Sequence, residues 1–419
     1  MKQIRTYVLV MIAVVTTTFA KGQMVSDLVS IQTNYTNQAF YSMANGELSN
    51  VVNTDWDIAF QIRGFAASIL INSKNNVRLW KANKAISQWS TMTTADTTGI
   101  LSDPAYELFN SDTSWDFGAF NVTNDTSNQF DLGWGTYDFL THIITGDSVF
   151  FIKIGATDYR KLEIESLTSG VYNFRWANLD GTNEITSTLS KANFTGKFFG
   201  YYSLVNNVSI DREPVYNTWD LTFCQYLSLT PYVYKVTGVL SNDSVFVAQA
   251  YPVDTGYATI GNLPLEAPIN TIGYDWKTYD FGSNSWLITD SLVYFVNDRQ
   301  GNLWKMVFTG FDGSFTGIFY FTKGPAVATG LINNSSIETF GIYPNPSHGS
   351  ARVMLTSGKQ GDATMSVIDL NGRVVKMTNI QLNGGLQSAD LDLSNLPAGL
   401  YQVVIQQDSD VQVSRLVVE

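Results

Sequence analysis

From about residue 24 to the end, short runs of alternating apolar and polar residues fill the chain, broken by Gly, Asn, Asp and Ser. "SVFFIKI" (148–154), "RKLEIESL" (160–167) and "GVYNFRW" (170–176) follow one another with small polar turns between them. "SLVYFVND" and "LWKMVFTGF" flank the Gly-containing loop "RQGN" and read as a hairpin. A period of two with aromatic and β-branched residues predicts strands, and turns this short predict antiparallel neighbours. The best short helix candidate is "SDPAYELFN" (102–110), with Asp103-Pro104 as cap and first turn.

The pattern returns on itself. "FYSMANGELSNVVNTDWDIAF" ends at Phe60, and "YYSLVNNVSIDREPVYNTWDLTF" ends at Phe223. Tyr41-Ser42-Met43 matches Tyr202-Ser203-Leu204, and Trp56-Asp57 matches Trp219-Asp220. Trp134 and Tyr137 of "GWGTYDFLTHIITGDSVFFIKI" recur as Trp276 and Tyr279 of "DWKTYDFGSNSWLITDSLVYFVN". The second stretch is shorter between these anchors, lacking a counterpart of the region around "AISQWSTMTTADTTGILSDPAYELFNSDTSW". Internal duplication of this kind predicts two homologous β units, 24–200 and 201–325. The recurring Trp-Asp pairs suit a structural role, Trp inward and Asp at a turn.

The first 22 residues follow another pattern. Lys2 and Arg5 precede an apolar run from Tyr7 to Ala20 and then small residues. That is the pattern of a cleavable signal peptide, too short to span a membrane stably. A length of 419 residues suggests two or three domains, and 44% hydrophobic content is enough for their cores. Aromatic residues reach 13% and charged residues only 15%, which favours strands over helices. A net charge of −12 argues against a nucleic-acid partner, since phosphates need a basic surface. The single cysteine, Cys224, excludes an intramolecular disulfide. It reads either as a nucleophile or as a small apolar core residue in "WDLTFCQY".

The segments "WDIAF", "SILINS" and "GWGTYDFLTHIITGDSVFFIKIGATDYRKLEIESLTSGVYNF" resemble the HmuY family of haem-binding proteins. "WDLTF", "WKTYD", "LWKM" and "GIFYF" of the second copy resemble it as well. The resemblance implies an all-β fold of two tandem HmuY-like antiparallel units, and haem as a conceivable cofactor held by paired His or Met ligands. This sequence departs from the family, whose members are typically lipoproteins, because it has no lipid-acceptor Cys near its leader. With only His142 and His348 in the chain, paired His ligation within one copy is impossible. The speculative ligand set is His142, Met43 and Met92.

After the small, polar linker (326–337), strands begin again at "YPNPSHGSARVML". "TMSVIDLNGRVV", "LDLSNLPAGLYQVVIQQ" and "QVSRLVVE" complete seven short expected strands in a small C-terminal β-sandwich, 338–419. Tyr343-Pro344-Asn345-Pro346, Asp369 through Gly372, Leu396-Pro397-Ala398-Gly399-Leu400-Tyr401 and Arg415 resemble the type A sorting domain of the type IX secretion system. The resemblance implies the secretion machinery and its sortase-like peptidase as partners. It also implies release, or attachment to surface lipopolysaccharide, at the outer face of the outer membrane.

Catalytic chemistry is hard to find. With His142 the only His before the tail, no Ser-His-Asp set and no zinc site of ordinary composition is available. No G-x-S-x-G, H-E-x-x-H, Walker or dinucleotide fingerprint is present. "NLDGTNE" (178–184), the nearest approach to a Ca²⁺ loop, reads as a turn. Glycosidase-type carboxylate pairs cannot be picked out by spacing. The expectation is a secreted or cell-surface, non-catalytic binding protein. The alternatives are a haemophore-like protein and a carbohydrate-active enzyme or glycan-binding surface protein.

Overall fold

The computed structural model describes residues 24–64, 66–326, 337–369, 373–407 and 410–419, so the signal peptide expected at 1–22 lies outside the described residues. The chain divides into two compact units, one ending at Thr329 and one beginning at Gly330. Every sheet is antiparallel, and the helical segments described are single or double 3₁₀ turns.

The larger unit contains two sandwiches. In the first, an eight-stranded sheet running from Ile185–Ser190 through Val171–Asn178, Asp158–Thr168 and Val149–Ile154 to Arg78–Lys81 packs on a four-stranded sheet. The four strands are Val208–Ile210, Phe199–Ser203, Ile58–Gln61 and Ile69–Ile71. Phe60, Ile69, Trp134, Phe150, Leu162, Phe174 and Tyr202 fill the space between the sheets. In the second sandwich, Tyr234–Ser241, Leu221–Ser228, Asn37–Ser42 and Gly46–Val52 form a four-stranded sheet. It packs on five strands, Val25–Ser30, Ile318–Pro325, Leu303–Phe311, Val293–Asn297 and Phe246–Ala250. Tyr41, Leu221, Phe223, Tyr294, Phe308 and Phe321 form that core. Burying each of these large side chains is worth roughly 1.5–3 kcal/mol.

Strand pairing crosses the order of the chain. Asn37–Ser42 does not pair with nearby Ile58–Gln61; Tyr41 lies opposite Leu221, and Ala39 opposite Phe223. Phe199–Ser203 pairs back to the early strand, with Tyr201 opposite Ala59. Each Tyr-Ser hairpin thus completes the sheet of the other Trp-Asp strand. The boundary expected at 200/201 falls inside the strand Phe199–Ser203.

The two four-stranded sheets lie back to back, with the partly buried Trp115 packed against the outer faces of both. This explains why "IAFQ", "FGYYS" and "NQAFYS" show little alternation: nearly every residue in them is buried. The outer strand Val171–Asn178 keeps a clearer alternation because one face is more open.

The helix candidate at 102–110 is corrected by the structure. Asp103 Oδ1 accepts from Ala105 N at 2.9 Å, and Pro104–Tyr106 makes one 3₁₀ turn. Glu107–Leu108 then pairs as a strand with Leu79 and Trp80, and the Glu107 carboxylate grips Arg78. Strand pairing and this ion pair outcompete a helix too short to stabilise itself.

In the smaller unit, five strands are described rather than seven short ones. Ser350–Ile368 and Val374–Asp392 are 19 residues each and pair along most of their length, interrupted by an irregularity between Ser357 and Gln360. Ile337–Tyr343 pairs with the first half of the long strand, while Gly399–Gln407 pairs with its second half and with Asp410–Val418. Val353, Leu355, Met365, Val367, Tyr401, Val403 and Leu416 form the core. One long bent strand does the work of two, so fewer turns are needed.

Candidate functional site

The two back-to-back sheets leave a cleft of about 80 Å³, with an adjoining hollow of about 60 Å³ that shares Leu70, Ser73, Asn110, Trp115, Tyr226 and Leu240 with it. Trp56 and Tyr201 supply one wall, Tyr226 and Leu240 the other, and Gln38, Asn53, Asn72, Asn110 and Gln225 the amides. Trp115 is fixed by its Nε1, which donates to Ser241 O at 2.9 Å, and its ring meets Phe199 edge-on at 6.1 Å.

The lining amides are held in place by the fold. Trp56 Nε1 donates to Asn53 Oδ1 at 2.8 Å, while Asn72 Nδ2 donates to Asn53 O and Trp56 O at 3.0 and 2.9 Å. Asn110 imitates a strand residue: it accepts from Ile71 N at 3.0 Å and donates to Ile71 O at 2.8 Å. Gln38 donates to Thr222 Oγ1 at 3.0 Å and accepts from Arg212 at 2.8 Å. Lys235 crosses from the neighbouring sheet to Lys74 O at 3.0 Å and Asn76 Oδ1 at 2.9 Å. Burial, and then the charge of Lys235, holds Lys74 below the usual lysine range.

Two buried charged residues adjoin the cleft walls. Arg212 donates to Gln38 and to Val52 O at 2.8 Å, with its guanidinium 4.9 Å from the Tyr201 ring centroid. Glu213 accepts from the amides of Phe198 and Phe199 and from Tyr201 OH at 3.0 Å. Burial pushes the Glu213 carboxyl up to about 7, against the pull of those donors and of Arg212. Burial likewise pushes the Cys224 thiol up to about 12. At neutral pH it is a protonated, core-like side chain, which answers the nucleophile reading.

The speculative ligand set is not brought together. Met43 is fully buried in the second sandwich, and Met92 lies in a small separate core with Trp80, Trp89 and Phe151. His142 is exposed at a hairpin tip with a left-handed backbone, φ 58°, and Tyr137 OH lies 2.7 Å from its Nδ1. Asn284 occupies the same place in the other hairpin: φ is 53°, and its Oδ1 accepts from Tyr279 OH at 2.5 Å. Both are residue types that tolerate this conformation. Asp180 Oδ1 accepts from Thr182 N at 2.9 Å, so "NLDGTNE" is a turn. Among the described residues no group of three or more His, Cys, Asp or Glu side chains is placed to hold a metal ion.

In the smaller unit the motif residues lock the final strand. Asn345 Nδ2 donates to Arg415 O at 2.8 Å, and its Oδ1 accepts from Val417 N at 2.8 Å. Ser347 N donates to Val417 O, and Glu419 N donates to Ser347 O, both at 2.9 Å. Tyr401 OH donates to Pro397 O at 2.8 Å, while Leu396 packs on the core and Gly399 opens a strand. Asp369 Oδ1 accepts from Arg373 N at 3.0 Å; residues 370–372, Gly372 included, lie outside the described residues. Tyr343 and Pro344 lead into the Asn345 clasp.

Residues 341–419 match the secretion system C-terminal sorting domain. The smaller unit is a sorting domain. It directs the protein through the type IX system to the cell surface or the extracellular space. No curated protein matches the chain. Among solved structures, the chain is similar to dimeric latent PorU from Porphyromonas gingivalis at 11% identity and a TM-score of 0.20, covering 94% of this chain and 34% of that one. It is similar to the BSP domain of a biofilm-associated protein at 10% identity and a TM-score of 0.18, covering 92% of this chain and 82% of that one. No helix among the described residues is long and apolar enough to cross a membrane.

The cleft residues Gln38, Asn72, Asn110 and Gln225 were not singled out as a site from the sequence, while Trp56 and Trp115 stood out there only as two of many tryptophans that either fill cores or bind a sugar. Asn53, Trp56 and Tyr201 lay in the recurring segments. The others come from strands and loops far apart in the chain, with no spacing that would connect them.

Proposed function

We propose that the protein is a non-catalytic binding protein, released or held at the cell surface after export, which captures a small polar ligand at the cleft between its two sandwiches. The observation that carries this reading is the convergence of Trp56, Trp115, Tyr201 and Tyr226 with five carboxamide side chains in one concavity. Aromatic faces and amides suit the apolar faces and hydroxyls of a sugar, which favours a glycan; at about 80 Å³ the cleft takes only the edge of one sugar ring, with the rest of the glycan outside it. The two sandwiches are read as copies of one HmuY-like unit, and the terminal unit as the part removed by a sortase-like peptidase, with lipopolysaccharide as the surface anchor. A haemophore-like alternative would require axial ligands other than His142, Met43 and Met92. Glycan-array binding of the purified protein tests the proposal: bound uncharged glycans should be lost on Gln225→Ala. Unchanged binding by that variant, or silence across the array, would overturn the cleft reading.

A further inference from the structure

A second concavity, of about 380 Å³, has an unusual charge for this protein. It is lined by Arg63, Lys191 and Lys197 beside Thr195 and Tyr216, and no carboxylate belongs to its lining. The chain as a whole carries 37 Asp and Glu against 25 Lys and Arg, so three cations around one hollow run against the general field. The floor is rigid. Tyr216 N donates to Gly196 O at 2.7 Å, and the Tyr216 ring lies 3.8 Å from the Arg63 guanidinium carbon and 4.9 Å from that of Arg299.

The cations are only partly neutralised. Arg63 meets Asp243 at 3.4 Å with both side chains substantially exposed, and Lys197 meets Asp211 at 3.0 Å. The exposed Arg63 pair can exchange for a stronger partner, whereas Lys197 is mostly buried and also donates to Glu213 O at 2.6 Å. Lys191 makes no ion pair among the described residues; its ammonium lies 5.4 Å from the Tyr172 ring. Burial holds Lys191 below the usual lysine range, a cost that an incoming negative charge would relieve.

We propose that this pocket binds the carboxylate or sulfate group of an acidic saccharide. Arg63 and Lys191 would carry the oxyanion, and Thr195 and the Gly196 backbone would face the sugar hydroxyls. The volume falls within the range of small-molecule sites, roughly 300–1,000 Å³, larger than a bare ion requires. The proposal shares with the cleft reading only the premise that the protein captures ligands; its residues are different.

Isothermal titration of the purified protein with glucuronate, glucose 6-sulfate and glucose tests it. At least one of the two anionic sugars should bind, glucose should not, and raising the salt should weaken binding by screening. Lys191→Gln should weaken binding by about tenfold, equivalent to about 1.4 kcal/mol, and Lys191→Arg should restore most of it. Inorganic sulfate should compete in the unsubstituted protein, a result that depends on no variant's folding. Gln225→Ala, in the cleft, should leave this binding unchanged, so failure of one site is distinguishable from failure of the other. Equal binding of glucose and glucuronate, no competition by sulfate, or full affinity in Lys191→Gln would each overturn the proposal.

Discussion

The Asp57 carboxylate accepts a hydrogen bond from the backbone amide of Leu204 at 2.7 Å, across 147 residues of chain. The Asp220 carboxylate accepts from the amide of Met43 at the same distance, across 177 residues. The two contacts are reciprocal: each Trp-Asp strand holds the turn of the hairpin that reaches it from the other part of the chain. Burial pushes both carboxyls above the usual range while the backbone donors pull them back. Asn72 and Asn242 repeat the correspondence, each tying down the backbone of its own Trp, at Trp56 and Trp219.

Removing either carboxylate leaves buried amides unsatisfied, which costs about 1–3 kcal/mol. Asp57→Ala and Asp220→Ala should therefore each lower the unfolding free energy by about that amount in urea titrations. A loss below about 0.5 kcal/mol for both would show that neither clasp matters.

The exchange makes a sharper statement about the first hairpin. Deleting residues 24–52 removes two strands from the inner sheet of the second sandwich and one from its outer sheet. Amides of Leu221–Ser228 should then lose hydrogen-exchange protection while those of Val149–Ile154 keep theirs. Loss confined to the first sandwich would contradict the pairing described here.

At the tip of its hairpin, His142 acts through its backbone conformation and its bond to Tyr137. His142→Asn should be nearly neutral, since Asn284 already fills the matching place. His142→Val should destabilise by about 1–2 kcal/mol, because a β-branched residue resists a left-handed backbone. Thermal melts of the two variants decide this, and equal melting temperatures would reject it.

The Glu213 carboxyl, raised to about 7, gives a pH dependence with a definite sign. Between the unfolded value near 4.3 and about 7, the folded protein holds a proton that the unfolded chain has lost. Stability is therefore greatest below that window and falls as the pH rises through it, by a few kcal/mol at most. Glu213→Gln keeps an acceptor for the Phe198 and Phe199 amides and removes the ionisation. It should flatten the stability profile between about pH 5 and 7; an undiminished slope would assign the titration elsewhere.

In the sorting domain, Asn345→Ala would strip the terminal strand of two hydrogen bonds. The expected loss is about 1–2 kcal/mol, visible as faster proteolysis near residues 411–419 and reduced export. Deleting 341–419 should abolish export altogether, and surface display of the truncated chain would sink the sorting assignment.

The all-β class and the sorting tail were legible in the sequence. Period-two patterning, turn residues and the tail's motif runs are local signals, even though Asn345 acts on Arg415 and Val417, 70 and 72 residues away. Trp56, Asp57, Trp219 and Asp220 stood out for the same reason, as recurring residues around a strand start. The sequence also favoured a helix at 102–110, where Asp103 does cap a turn but Leu79 and Trp80 recruit the next residues into a sheet. Which strand each hairpin joins was decided only in the tertiary structure. "NQAFYS" and "FGYYS" carry nearly the same pattern and could serve either Trp-Asp strand, so no local preference separates the two pairings. The cleft and the cationic pocket lay beyond the sequence for a related reason. Gln38, Trp115 and Gln225, like Arg63, Lys191 and Tyr216, are remote in the chain, and only packing the sheets side by side places them around common hollows.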